Sequence, residues 1–225
     1  MEAALDWFTS YFLDRVQVVA TGTDSSAVYE LTTGAPQGSV LGPRSFVAYA
    51  EDVTDVFQQH GVCHHLFADD MQGTKHARPS LVTHVAAEIG GCMSAVSSWC
   101  ASKHLQLNSK KTEAMWFGSA TNLGRLSASD KQIQVGPDVI EPTAVVRDLG
   151  VYFDSELSMK SHISRVSCAC FYHLRRLRGI RRLLGQQVAA RLVSAFVLSR
   201  LDYCNTVLVG QPASTLTPLQ RVLHT

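Results

Sequence analysis

The chain has 225 residues, of which 46% are hydrophobic and 17% are charged, and its formal net charge is +1. This length and composition are sufficient for a folded core and exclude a disordered, highly charged tail. The near-neutral balance excludes a chain that attracts polyanions through its overall charge, so any affinity for nucleic acid must come from a local cluster of basic residues.

The N-terminus and the apolar stretches predict neither a secretory signal nor a membrane span. Glu2 and Asp6 lie where a signal peptide would carry its basic segment. The most apolar window, residues 192–209, is interrupted by Arg200 and Asp202 and falls short of the ~20 apolar residues that a span needs. We therefore expect an intracellular protein, in the nucleus or the cytoplasm, with no membrane partner.

The cysteines predict free thiols rather than a metal module. Six are scattered through the chain without a CxxC pair, which favours buried thiols in a reducing compartment over a disulfide framework. His64 and His65 follow Cys63 and leave a metal site open as an alternative. Such ligands suit zinc, however, whereas the acids that come next in the sequence suit a harder ion.

The first sixty residues are predicted to begin with a helix over residues 1–14, whose apolar positions recur at helical spacing. Two β-prone runs, 16–20 and 27–32, flank a turn cluster and predict a hairpin. Three glycines and two prolines within residues 34–43 then predict a shaped loop that a ligand can approach closely, and an ordinary strand-to-helix connection is the alternative. A helix with one apolar face follows and ends near residue 59.

Two adjacent acids, Asp69 and Asp70, are predicted at the tip of a β-hairpin. The apolar run 62–67 leads into them, and residues 71–75 form the returning strand. At a hairpin tip both carboxylates can approach one point, and paired carboxylates suit Mg²⁺, a hard ion that prefers oxygen ligands. A solvated turn is the alternative interpretation, because acids are common in turns.

The middle of the chain is predicted to contain both helical and β-structure. The elements expected there are a helix over 80–103 with Ser80 as its N-cap, a strand over 114–117, a loop over 119–130, a hairpin around 136–138, and a strand over 144–153 with a bulge or close backbone contact at Gly150.

From residue 157 to residue 201 the chain contains no Asp or Glu and nine of its twenty basic residues. Two helices are predicted here, over 161–184 and 186–201, with a break at Gly185. A solvated helix usually mixes charges of both signs, so the unmixed run favours contact with a phosphate backbone, and a merely basic surface is the alternative. The candidate contacts are Arg175, Arg176, Arg178, Arg181 and Arg182.

The order of these motifs resembles the reverse transcriptase domain of non-LTR, LINE-like retrotransposons over nearly the whole chain. Residues 35–43 (APQGSVLGP) resemble the family's template-and-nucleotide loop, and residues 67–70 (FADD) resemble its catalytic turn. Residues 107–113 (LNSKKTE) resemble the motif whose lysine lies near the incoming phosphates. Residues 149–151 (LGV) resemble the strand that supports the primer, and residues 201–205 (LDYCN) resemble the segment after the palm.

The resemblance implies an α+β fold with two parts. Residues 1–155 would form part of a polymerase palm, an antiparallel sheet packed on helices, and residues 156–225 would form the basic, helical start of a thumb. The implied reaction is RNA-directed DNA synthesis, in which two metal ions, Mg²⁺ or Mn²⁺, assist nucleotidyl transfer. The implied partners are an RNA template, a DNA primer and deoxynucleoside triphosphates.

The resemblance also assigns roles to particular residues. Asp69 and Asp70 would be catalytic and would bind metal. Nucleotide or template binding would fall to Pro36, Gln37, Gly38 and Lys111. Primer support would fall to Leu149 and Gly150.

One departure from the family affects activity. The family's first catalytic Asp ends an upstream apolar strand, and the early acids here, Glu2, Asp6 and Asp14, do not fit that position. We therefore expect a domain truncated at its N-terminus, without fingers and without one carboxylate, that has negligible polymerase activity as an isolated chain. The alternatives are a non-catalytic nucleic-acid-binding remnant and a pseudogene remnant without a selected role.

Overall fold

The computed structural model describes residues 2–34 and 38–225. Within these residues the chain forms helices and short antiparallel sheets, which confirms the α+β class. The chain divides into two compact units. The first unit comprises Met1–Ala77, His84–Lys110 and Gln134–Asp138, and the second comprises Arg78–Thr83, Lys111–Ile133 and Val139–Thr225.

The first unit begins with the predicted helix and hairpin. Helix α1 covers Glu2–Phe12 and contributes no buried residue. Strand β1 (Arg15–Gln17) pairs with β4 (Tyr29–Leu31), and β2 (Ala20–Thr21) pairs with β3 (Asp24–Ser25). The predicted hairpin is therefore confirmed, with its pairing interrupted midway.

The single helix predicted up to residue 59 is two helices, α2 (Gly42–Ala50) and α3 (Val53–Gln59). The break falls at Asp52, whose carboxylate lies 2.7 Å from the ammonium of Lys103. That ion pair lowers the pKa of Asp52 below its usual value. Pro43 lies in the first turn of α2, as predicted.

The core of the first unit lies between α3, a hairpin and a long helix. Strands β5 (Cys63–Phe67) and β6 (Asp70–Thr74) form the hairpin, and helix α4 covers Val82–Ser102. The fully or nearly buried residues of this core are Val53, Phe57, Val62, Cys92, Val96 and Cys100. Ser80 is not the predicted N-cap: it lies inside a 3₁₀ turn, Pro79–Leu81, which begins at the proline because its ring fixes φ in a helical range.

In the second unit, the predicted loop over 119–130 contains two short helices, α5 (Ala120–Gly124) and α6 (Ala128–Lys131). Each is capped by a serine, because the hydroxyls of Ser119 and Ser127 accept backbone N–H groups of the first turn. The strand predicted over 114–117 is wrong: the segment makes isolated backbone hydrogen bonds rather than a ladder, such as that from the Thr143 N–H to the Ala114 carbonyl.

The predicted hairpin around residues 136–138 is confirmed by β7 (Ile133–Val135) and β8 (Asp138–Ile140). The prediction of one long strand over 144–153 is wrong. The segment forms a second hairpin, of β9 (Val145–Asp148) and β10 (Val151–Asp154). Leu149 and Gly150 form its turn, with φ of +43° and +87°.

The basic segment is helical, as predicted. Helix α7 covers Lys160–Ile180, and a 3₁₀ turn, Arg181–Leu183, leads to the break at Gly185. The elements that follow are α8 (Gln186–Val193), a π-helical turn (Ser194–Leu198), α9 (Ser199–Asp202), a 3₁₀ turn (Asn205–Leu208) and α10 (Ala213–Leu223). Helix α7 packs against α10 and β10.

Sheet formation differs from the sequence-based expectation of one antiparallel sheet. The described residues form five separate two-stranded sheets, with strands of two to five residues. The palm and thumb assignments, with their boundary at residue 155, stay predictions. None of the helices in the described part of the chain is both long and apolar enough to cross a membrane.

Candidate functional site

The two acids occupy the tip of the β5–β6 hairpin, as the sequence predicted. The strands pair from Cys63 opposite Thr74 to Phe67 opposite Asp70, which leaves Ala68 and Asp69 as a two-residue turn. Ala68 adopts a positive φ of +54°, typical of tight hairpin turns. Asp69 and Asp70 are both exposed, so their carboxylates are accessible to an ion or a substrate.

The hairpin is held in place by close packing on Phe57, which is fully buried. The Phe57 ring stacks on His64 with 5.2 Å between ring centroids. A Cβ atom at Gly73 would lie 3.3 Å from Phe57 Cε1 and 3.2 Å from Val62 Cγ1. Glycine at this position therefore lets β6 approach the core more closely than any other residue would allow.

The donor chemistry at the hairpin tip suits a hard cation. Carboxylate oxygens are preferred ligands of Mg²⁺, which binds through one or two carboxylates together with substrate phosphates. Among the described residues, no group of three His, Cys, Asp or Glu side chains is arranged to hold an ion. The carboxylates of Asp69 and Asp70 could provide two protein ligands for such a cation, because both are exposed at the hairpin tip.

The alternative of a histidine–cysteine metal site beside the acids does not fit the strand. Neighbouring residues of a strand point to opposite faces. Cys63 and His65 are exposed, whereas His64 is partly buried and stacks on the Phe57 ring. His64 and His65 therefore cannot turn toward one ion together.

The glycine–proline loop is described only in part. Pro36 and Gln37 lie outside the described residues. Gly38 has a φ of +79° and open space where a Cβ would be, which fits the prediction of a loop that a ligand can approach. The loop ends on Ser39, whose hydroxyl hydrogen-bonds Tyr11 at 2.5 Å and accepts the Gly42 N–H at 3.0 Å.

The remaining predicted site residues lie in the second unit. Lys111 ends a 3₁₀ turn, Ser109–Lys111, and is exposed. Leu149 and Gly150, predicted on a strand, form the β9–β10 turn instead. The physical reason is their backbone conformation: both have a positive φ, which is typical of a type I′ hairpin turn and which a strand does not allow.

Sequence reasoning missed Tyr203, which braces this turn. Its hydroxyl donates a hydrogen bond to the Leu149 carbonyl at 2.6 Å. Its ring lies against Gly150, where a Cβ would be 3.2 Å from Tyr203 Cε1. An interaction with the side chain of Cys204 raises the pKa of Tyr203 above its usual value. The motif LDYCN contains Tyr203, but nothing in the sequence indicates this contact.

We expect Gly150→Ala to lower the free energy of unfolding by about 1–2 kcal/mol, because alanine is strained at a φ of +87°. Its methyl group would also crowd the Tyr203 ring. The measurement is urea denaturation beside the control Gly210→Ala, whose φ is +81° with open space around it. The excess loss at position 150 measures the crowding of the added methyl group against the Tyr203 ring, and equal losses in the two variants would show that the ring accommodates the methyl group without cost.

The five candidate arginines lie along the last turns of α7 and the 3₁₀ turn after it, and all five are exposed. They are Arg175, Arg176, Arg178, Arg181 and Arg182. The ion pairs found among the described residues all lie in the first unit. This arrangement gives a cationic surface that is available to an anionic partner.

Comparison with known proteins assigns the family. The model of the family "Reverse transcriptase (RNA-dependent DNA polymerase)" matches residues 2–151, more than half of the chain. The chain therefore belongs to the reverse transcriptase family. The matched segment contains the hairpin with Asp69 and Asp70, Lys111, and the Leu149–Gly150 turn.

Similar curated proteins come from mobile elements of Drosophila melanogaster. A probable RNA-directed DNA polymerase from transposon BS is 23% identical over 174 residues, which are 75% of this chain and 18% of that protein. The RNA-directed DNA polymerase from mobile element jockey is 23% identical over 166 residues, 71% of this chain and 17% of that protein. The chain thus spans less than a fifth of these relatives. No solved structure gives a significant match. The resemblance to a LINE-like reverse transcriptase is confirmed.

Proposed function

We propose that this chain carries part of the polymerase centre of an RNA-directed DNA polymerase from a LINE-like retroelement, with Asp69 and Asp70 as its metal-binding carboxylates. The observation that carries the proposal is the hairpin tip, which presents both acids to solvent within the segment matched by the family. Mg²⁺ or Mn²⁺ bound there would activate the primer 3′-hydroxyl and neutralise the charge on the leaving pyrophosphate.

The other residues of the chain would bind and orient the substrates. The loop at Pro36, Gln37 and Gly38 would admit the incoming deoxynucleotide and the RNA template. Lys111 would contact the phosphates of the deoxynucleotide. The Leu149–Gly150 turn would support the DNA primer. In this proposal residues 1–155 correspond to the palm and residues 156–225 to the start of the thumb.

The chain alone should nevertheless be a poor polymerase. Two-metal nucleotidyl transfer needs ligands that hold both ions close together, about 3.5–4 Å apart. The family supplies a further carboxylate from a neighbouring strand, and no described residue completes a group of three around Asp69 and Asp70. We infer that nucleotides and primer can bind while the chemical step lacks part of its electrostatic support.

Two assays on the full chain separate metal binding from synthesis. Primer extension on an RNA template, with Mg²⁺ or Mn²⁺, should give no product above background, and robust extension abolished by Asp69→Asn would overturn the inference of inactivity. In parallel, Mn²⁺ binding followed by electron paramagnetic resonance should weaken about tenfold in Asp69→Asn, because the pair loses one of its two charges.

The matched control for the metal assay is Asp138→Asn. Asp138 is an exposed acid at the start of a hairpin strand, as Asp70 is, but it has no acidic neighbour in sequence. Its replacement should leave Mn²⁺ binding unchanged. Equal weakening in the two variants would show that the ion follows general negative charge rather than the paired acids.

A second candidate function is non-catalytic nucleic-acid binding, in which the acids are relics. The observation that favours it is the cationic surface of α7 and the turn after it, on a stretch without a single Asp or Glu. Strongly salt-dependent binding of RNA or DNA, without synthesis, would support this second function.

A further inference from the structure

We propose that Arg147 and Arg165, both held against the ring of Tyr152, form a phosphate-binding site for a nucleic-acid backbone. This site is separate from the five arginines at the end of α7. The inference rests on the proposed function in one respect, namely that the chain binds nucleic acid.

Strand pairing brings the first arginine to the tyrosine. Arg147 on β9 lies directly opposite Tyr152 on β10, and residues paired in this way point to the same face of the hairpin. The Arg147 guanidinium carbon lies 5.7 Å from the centre of the Tyr152 ring. The other face of the hairpin carries Val151, which is buried in the core of this unit.

Helix α7 brings the second arginine to the same ring. The Arg165 guanidinium carbon lies 4.4 Å from the Tyr152 ring centre, close enough for a favourable cation–π contact. Because both distances are measured from one ring, the two guanidinium groups lie within about 10 Å of each other. Each keeps free N–H groups at its edge, in a planar fork that matches phosphate oxygens.

The tyrosine is a fixed support for both groups. Its backbone N–H donates to Nδ1 of His162 at 3.4 Å, which ties β10 to α7. His162 is buried, and burial lowers its pKa, so the ring stays neutral and can accept this hydrogen bond. An arginine held by a fixed ring loses less side-chain entropy when it binds an anion.

The charges around Tyr152 are unbalanced in favour of an anionic ligand. Arg147 and Arg165 are exposed, and no ion pair of the described residues involves either. Asp148 lies on the opposite face of β9 by strand alternation. Asp154 shares the face of Tyr152 and accepts two hydrogen bonds from Ser158, at 2.7 and 3.0 Å, but it keeps its negative charge, so two arginines stand against one acid on this face.

The position of the site indicates a polymeric phosphate rather than a small anion. Arg165 and Arg176 are eleven residues apart, so they lie on the same face of α7, about 16 Å from each other along its axis. Arg176 is also held by a tyrosine, since it donates to the Tyr172 hydroxyl at 2.8 Å. The site thus extends the cationic surface of α7 toward the Leu149–Gly150 turn, along a line that successive phosphates could follow.

The test measures how binding of a fluorescent DNA primer annealed to an RNA template depends on salt. For Arg147→Gln/Arg165→Gln we expect about tenfold weaker binding and a slope of log K against log salt that is smaller by about 1.5–2, since each phosphate contact contributes about 0.9. Arg125→Gln/Arg221→Gln removes the same charge from exposed positions elsewhere in the second unit and should change neither quantity.

A second variant addresses the role of the ring. Tyr152→Leu keeps both charges but releases the guanidinium groups, so it should weaken binding less than the double arginine variant does, with thermal unfolding recorded to confirm a folded protein. If the double variant binds as the wild type does while the five α7 arginines matter, the site is wrong and the proposed function stands. If neither set of arginines affects binding, the site and the second candidate function both fail, and if the wild-type chain does not bind the primed template at all, the proposed function fails with them.

Discussion

Replacing the five arginines of α7 and the 3₁₀ turn after it by glutamine should weaken binding of a primed RNA template by about 100- to 1,000-fold near physiological salt. Each contact between an arginine and a phosphate releases a counterion, so the loss of several contacts acts strongly on affinity and flattens its salt dependence. The residues changed are Arg175, Arg176, Arg178, Arg181 and Arg182, all of them exposed. The measurement is fluorescence anisotropy over a series of salt concentrations.

The control for this experiment removes five positive charges from other places. A variant with Gln at Arg44, Arg78, Arg125, Lys131 and Arg221 has the same net charge as the α7 variant. It should bind only slightly more weakly than the wild type. If both variants lose affinity equally, the acid-free helices are a merely basic surface and the second candidate function loses its support.

Replacing Phe57 by alanine should lower the free energy of unfolding by about 3–5 kcal/mol. The Phe57 side chain is fully buried and packs beneath β5 and β6, so its removal leaves a cavity under the carboxylate hairpin. A loss of this size is a large fraction of the stability of an ordinary domain. Urea denaturation would measure it, and hydrogen exchange at the β5–β6 amides would show whether the hairpin opens first.

Phe67 provides a matched control on the same hairpin. It is 58% exposed, so Phe67→Ala removes the same side chain without leaving a buried cavity. We expect that variant to lose less than about 1 kcal/mol. Similar losses from Phe57→Ala and Phe67→Ala would mean that the first unit does not depend on the core described for it.

The sequence predicted those features that depend on short-range patterns. An apolar run, two acids and a returning β-prone run were enough to place Asp69 and Asp70 at a hairpin tip. The helical runs on either side of Gly185 were enough to predict two helices with a break at that glycine. In both cases the signal lies within a few residues, where periodicity and turn chemistry act.

Features that depend on distant contacts were not predictable in this way. Leu149–Gly150 reads as part of a strand, because Leu gives no sign of the positive φ that it adopts in the turn. Residues 114–117 (AMWF) are a short apolar run that was predicted to be a strand, but strand formation needs a partner that the local pattern does not specify. Tyr203 contacts the Leu149 carbonyl across 54 residues of sequence, a distance over which motif reasoning gives no geometry.

The missing side chain at Gly73 has a consequence for how β5 and β6 can align. If β6 slipped by one residue, Gln72 or Thr74 would face Phe57 and Val62, and even a single added carbon there would force those side chains to shift. The absence of a side chain at Gly73 therefore favours the observed register of β5 and β6. The position of Asp69 and Asp70 at the hairpin tip depends on that register, although Gly73 itself takes part in no chemistry.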